Sequence, residues 1–241
     1  MDHRDFRNAT RELTSFLAPL ERRCLIWIAR RLPPAVNSDH LTLLALVAMV
    51  GVGTSYWVAR WYPAALVGGI VCLGLNWFGD SLDGTLARVR GHERPRYGFY
   101  VDHVVDVLGI LALMGGLALS GYMSPLIAAG VLVAYYLLSI EVFLAAHSLG
   151  TFRISFWKIG PTELRLILVL GNLALLVHPT AGVLGHEYLL FDVGGVVAMI
   201  GLMFTMLSAA AANTRRLYGA EPLPGVAADQ RFRREPAGQP F

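Results

Sequence analysis

Charge is scarce in this chain and cysteine scarcer. Of its 241 residues only 15% are charged while 55% are hydrophobic, and the mean hydropathy is +0.53. That balance excludes an ordinary soluble domain and reads as an all-α, polytopic membrane protein. The two cysteines, Cys24 and Cys72, fall in different segments, which argues against a disulfide framework or a thiolate metal site. No internal repeat and no nucleic-acid module is recognisable. The N-terminus is charged through Arg11, and no short apolar core with a small-residue cleavage site follows, so no cleavable leader is expected.

What the chain has in quantity is apolar runs. A membrane span needs roughly 17–25 such residues. Six segments qualify or nearly do: 41–59, 62–79, 97–119, 124–147, 162–178 and 187–211. The fifth is the shortest and carries Glu163 and Arg165 at its start. Arginine and lysine cluster before the first span, between the second and third (Arg88, Arg90, Arg94, Arg96), around the fourth-to-fifth connection (Arg153, Lys158, Arg165) and after the sixth, with Arg60 alone on the other side. The bias puts both termini and the 88–96 loop in the cytoplasm. The expected organisation is a cytoplasmic segment over 1–36, a six-helix transmembrane domain over 37–213 and a disordered tail over 214–241, rich in proline and charge.

Before the first span, Leu13, Phe16, Leu17, Leu20, Cys24, Ile28 and Leu32 recur at helical spacing opposite Arg22, Arg23, Arg30 and Arg31. This predicts an amphipathic helix over 12–32 lying on the membrane surface, bent or started by Pro19 and ended by Pro33-Pro34. Ser38 or Asp39 is the expected N-cap of the first span.

Against this background, four aspartates between residues 80 and 106 are conspicuous. Carboxylates at the edge of a bilayer core are costly and are kept for function. A helix turns roughly 100° per residue, so Asp80, Asp83, Gly84 and Ala87 form one stripe, and Gly98, Asp102 and Asp106 form another on the next helix. Facing each other, the stripes make a pocket with up to four negative charges and little bulk. One or two divalent cations would neutralise it, and Mg²⁺ suits all-oxygen sites that also hold phosphates. All four aspartates fall at the cytoplasmic mouth, with Asp102 roughly 8 Å inside its span.

These residues follow the pattern D-x2-D-G-x2-A-R-(x8 or x9)-G-x3-D-x3-D at every fixed position: Asp80, Asp83, Gly84, Ala87, Arg88, Gly98, Asp102 and Asp106. The chain thereby resembles the CDP-alcohol phosphotransferase family. The resemblance implies transfer of a substituted phosphate from a CDP-alcohol to an acceptor alcohol with release of CMP, in phospholipid synthesis. It implies Mg²⁺ or Mn²⁺, as two ions, held by Asp80, Asp83, Asp102 and Asp106; a cytidine diphosphate against Gly84, Ala87, Arg88 and Gly98; Asp106 as general base; an N-terminal juxtamembrane helix; and a homodimer among membrane lipids. His103 competes as base, because an Asp-His pair here resembles the choline and ethanolamine branch and an imidazole is better matched to neutral pH. Arg153, Lys158 and Arg165 are candidates for an acceptor phosphate. Glu141, mid-span, is expected either to accept an amino or ammonium group or to pair with a histidine or arginine inside the bundle. Glu163, after Gly160-Pro161-Thr162, reads as part of a helix start. The alternatives are a membrane prenyltransferase, whose acidic motifs would lie farther apart, and a divalent-cation transporter or channel, which would carry ionisable residues across the whole bilayer.

Overall fold

The computed structural model describes residues 10–12, 18–153 and 160–221, with only the backbone described at 10–12, 18–20 and 151–153. It is an all-α membrane protein. Among the described residues there are seven helices, α1 (Ala18–Ala29), α2 (Ser38–Ala59), α3 (Ala65–Arg90), α4 (Pro95–Ser120), α5 (Pro125–Leu149), α6 (Pro161–Val177) and α7 (Leu190–Ala220). Five of them, α2 to α5 and α7, are long and apolar enough to cross a membrane. At 17 residues α6 is shorter than these. Two small strand pairs accompany them: β1 (Thr10–Glu12) runs parallel to β2 (Thr151–Arg153), and β3 (Thr180–Val183) forms a hairpin with β4 (His186–Leu189).

Several boundaries differ from the sequence expectation. The second apolar run was expected to stop at 79, but α3 continues through the whole Asp80–Arg88 stretch until Gly91 takes a left-handed conformation, φ 67°, and caps it. α4 starts earlier than expected, at Pro95, whose missing N–H costs nothing in a first turn. The last span begins at 190 instead of 187 because 186–189 pairs with 180–183. It ends at Ala220, so residues 214–220 are helical; residues 222–241, the rest of the expected tail, lie outside the described residues. The N-cap of α2 is Asn37, not Ser38 or Asp39: its side chain accepts from His40 N at 2.9 Å. The Ser38 hydroxyl is engaged elsewhere, donating to the Asp83 carbonyl at 2.9 Å.

α2 is the spine. It packs extensively against both α3 and α4, and α5 against α7. The approaches are close because glycines meet backbone. A Cβ on Gly116 would fall 2.1 Å from the Gly53 carbonyl oxygen, and one on Gly79 would fall 2.5 Å from that of Leu41. One apolar core, including Val52, Leu66, Leu73, Leu113, Leu117, Val131 and Leu175, fills one half of the bundle. A second, smaller core joins Leu25 and Ala29 of α1 to Leu41, Leu82 and Leu86. α1 is therefore docked on α3. Its buried face is Leu25 and Ala29, while Cys24, expected on the apolar side, is exposed. Residues 13–17 of the expected helix lie outside the described residues.

Candidate active site

α3 and α4 are joined by only four residues, yet they are not among the extensively contacting helix pairs. Both lean on α2 instead. Between them opens a cavity of about 2610 Å³. Asp80, Asp83, Gly84, Ala87 and Arg88 line it from α3, and Gly98, Asp102, His103 and Asp106 line it from α4. The two stripes read from helical spacing thus face one space. Asp80, Asp83 and Asp102 all act electrostatically on Asp106, as does the guanidinium of Arg165. Bulk is low where expected: nothing lies within 4 Å of the place a Cβ on Gly98 would take, and one on Gly84 would meet only the Arg88 guanidinium, at 3.4 Å.

Asp83 and Asp80 are set by particular partners. Asp83 Oδ2 accepts from Thr42 Oγ1 at 2.6 Å, and its Oδ1 from the Gly84 N–H at 2.5 Å. Thr42 stands one turn into α2, which explains how the spine orients a carboxylate on its neighbour. Asp80 Oδ2 accepts from Arg165 Nη2 at 2.5 Å, and Arg165 Nε donates to Asn76 Oδ1 at 2.7 Å. Asn76 in turn donates to the Ala45 carbonyl at 3.0 Å. This chain of bonds ties α2, α3 and α6 together beside Asp80, largely shielded from solvent, where charge-assisted bonds are strong. Arg88 donates to Thr85 Oγ1 at 3.1 Å and remains exposed. Arg90, at the end of α3, donates to the carbonyls of Val36, Leu32 and Pro33 and so fixes the linker between α1 and α2.

His103 is held differently. Its Nδ1 lies 2.5 Å from the Phe99 carbonyl oxygen, and its ring packs against Phe99 and Phe143 at centroid distances of 4.2 and 4.9 Å. Asp106 and His103 both line the cavity.

Of the three acceptor candidates, Arg165 reaches the cavity. Arg153 is described only as backbone in β2, and Lys158 lies outside the described residues. Among the described residues Glu141 pairs with an amide instead of a histidine or arginine: its Oε1 accepts from Asn213 Nδ2 of α7 at 2.7 Å. Glu163 accepts from the Gly160 N–H at 2.9 Å at the start of α6. Gly116 and Gly195 pack inward, whereas Gly115 and Gly194 face open space.

Sequence reasoning missed Asn76, Thr42 and Glu21. Asn76 was legible, since it lies one turn before Asp80 on the same stripe. Thr42 carried no such signal. Glu21 was the one acid in a helix of arginines; its Oε1 accepts from Trp77, Ser81 and Thr162.

Four carboxylates around one guanidinium leave an excess of negative charge, and the donors are all hard oxygens, which fits divalent cations such as Mg²⁺ or Mn²⁺. With Arg165 on Asp80 and Thr42 on Asp83, no three His, Cys, Asp or Glu side chains among the described residues converge as a ready-made metal cage. The donor set fits in chemistry, with Arg165 and Thr42 as its present partners.

A family model described as CDP-alcohol phosphatidyltransferase matches residues 36–207 of the chain. Comparison with curated proteins returns no match.

Proposed function

The chain belongs to the CDP-alcohol phosphatidyltransferase family, a class of membrane transferases of phospholipid synthesis that generally use divalent metal ions, and from that premise we propose that the α3–α4 cavity transfers a substituted phosphate from a CDP-alcohol to an acceptor alcohol, releasing CMP. The observation that carries this is the shared cavity: two carboxylate stripes on helices that do not pack extensively against each other, with glycine and alanine where a nucleotide must lie.

The residues divide the work. Asp80, Asp83, Asp102 and Asp106 would hold two Mg²⁺ or Mn²⁺ ions, which when bound screen the diphosphate and stabilise the departing CMP. Gly84, Ala87 and Gly98 leave the space for the cytidine diphosphate. Arg88, exposed at the end of the stripe, supplies a fork for a phosphate oxygen. Thr42 keeps Asp83 turned into the cavity. Asp106 takes the proton of the attacking hydroxyl; His103 lines the same cavity, but its ring is engaged by Phe99 and Phe143, which supports Asp106 in this role. Arg165, on the wall beside Asp80, is assigned to the acceptor, which favours one that carries phosphate. Both termini and the site lie on the cytoplasmic side, and the unit in the membrane is a homodimer.

The test is a screen of CDP-diacylglycerol, CDP-choline and CDP-ethanolamine against a panel of polar and lipid alcohols, in detergent with Mg²⁺ or Mn²⁺. CMP release and a product of the combined mass are expected. Metal uptake into proteoliposomes with no cytidine-nucleotide binding would replace this reading with that of a cation transporter.

A further inference from the structure

α1 is a basic helix with one acid near its start. Arg22, Arg23, Arg30 and Arg31 are exposed, whereas Glu21 is half-buried. A single oxygen of Glu21, Oε1, accepts from Trp77 Nε1 at 2.7 Å, Ser81 Oγ at 3.1 Å and Thr162 Oγ1 at 2.9 Å. Exposed surface charges ordinarily stay with water; three protein donors on one oxygen form a built socket. Its members are telling. Trp77 and Ser81 flank Asp80 on α3, and Thr162 lies three residues ahead of Arg165 on α6. The seam between α3 and α6 is thus tied twice near Asp80, once by Arg165 through Asn76 and Asp80, and once by Glu21.

The apolar core shared by α3 and α6 uses Leu73 with Leu168, Val169 and Leu175, farther along α6 than Thr162. The core that docks α1 consists of Leu25, Ala29, Leu41, Leu82 and Leu86 and contains nothing from α6. We infer that Glu21 is a positioning residue: its Oε1 fixes the start of α6 against α3 and so sets where Arg165 stands relative to Asp80. The kinetic consequence rests on the phosphotransferase reading; the geometric one does not.

The experiment separates the two. Spin labels at Val89→Cys on α3 and Leu166→Cys on α6, both exposed positions, are placed in a background of Cys24→Ser and Cys72→Ala. Glu21→Ala is expected to broaden and lengthen the inter-label distance distribution in full-length protein in nanodiscs. Glu21→Gln is expected to leave it unchanged, because one amide oxygen can still receive all three donors. In steady-state CMP release from CDP-diacylglycerol, Glu21→Ala is expected to raise the acceptor KM by about tenfold, leave the CDP-diacylglycerol KM unaltered, and be rescued by Glu21→Gln. A Glu21→Ala distribution that superimposes on the parent, or a Glu21→Gln shift as large as that of alanine, overturns the inference. So does unchanged acceptor KM in an enzyme that turns over. Shifted distances in a protein that releases no CMP from any CDP-alcohol would leave the positioning role standing and sink the phosphotransferase reading instead.

Discussion

Asparagine at position 80 separates charge from shape. It keeps an oxygen that Arg165 can reach, so the α3–α6 seam survives, but it removes the negative charge on which the proposed cation binding depends. Asp80→Asn is therefore expected to lower CMP release by about a thousandfold with an unchanged thermal transition. Retained turnover would remove Asp80 from the metal set. The base is decided at the same scale. If Asp106 takes the proton, His103→Ala keeps most of kcat and the same pH profile. If His103 does, the variant loses about a hundredfold in rate. At this scale the sequence was legible where a repeat of one residue type at helical spacing brings side chains to one cavity, as in Asp80, Asp83, Asp102 and Asp106. It was opaque at Thr42 and Glu21. Each is a single polar residue whose partner lies dozens of positions away, and nothing local to either announces the contact.

Between elements, the governing fact is that α2 stands close to both carboxylate helices. Gly53, Gly79 and Gly116 permit this, because their missing Cβ atoms are where neighbouring backbone sits. A valine at Gly116 would drive into the Gly53 carbonyl, while an alanine at Gly115 would meet nothing within 4 Å. Gly116→Val is expected to destabilise the protein by about 3 kcal/mol or more, read as a lowered thermal midpoint in detergent. Gly115→Ala should match or slightly exceed the parent, since alanine is the better helix former. Equal effects from the two would mean that the α2–α4 crossing is not a close backbone contact. In the sequence the paired glycines look equivalent, and only the helix's rotation about its own axis tells inward from outward. For the same reason the apolar runs gave the helices but not their ends. α3 runs past its apolar stretch because the Asp80–Arg88 segment contains no breaker before Gly91. The hairpin of β3 and β4 takes residues that hydropathy had assigned to α7.

For the molecule as a whole, orientation turns on α6. Five helices are long and apolar enough to span. With α6 excluded, the chain would cross an odd number of times and its ends would part. Yet the contacts of α6 and α7 run from one end of the bundle to the other. α6 starts beside Asp80 and Glu21 and leads through the β3–β4 hairpin into α7, whose Asp192 accepts from the backbone N–H of Ser124 at 2.6 Å, at the start of α5. Farther along, Asn213 of α7 meets Glu141 of α5. Seventeen residues rise about 25 Å, only slightly less than a hydrocarbon core of roughly 30 Å, so a short α6 can cross with little adjustment of the bilayer. An even count puts the arginines of α1, the 88–96 connection and Arg215-Arg216 on one side, in keeping with the positive-inside bias. The hairpin tip, where Leu184 is 97% exposed, then lies on the other. The native Cys24, exposed on α1, supplies a reporter. In a Cys72→Ala background, a membrane-impermeant maleimide applied to right-side-out vesicles is expected to label Leu184→Cys and spare Cys24 until the vesicles are opened. Labelling of both from the same face would mean that α6 does not cross, and would place the mouth of the carboxylate cavity on the opposite side from the end of α7.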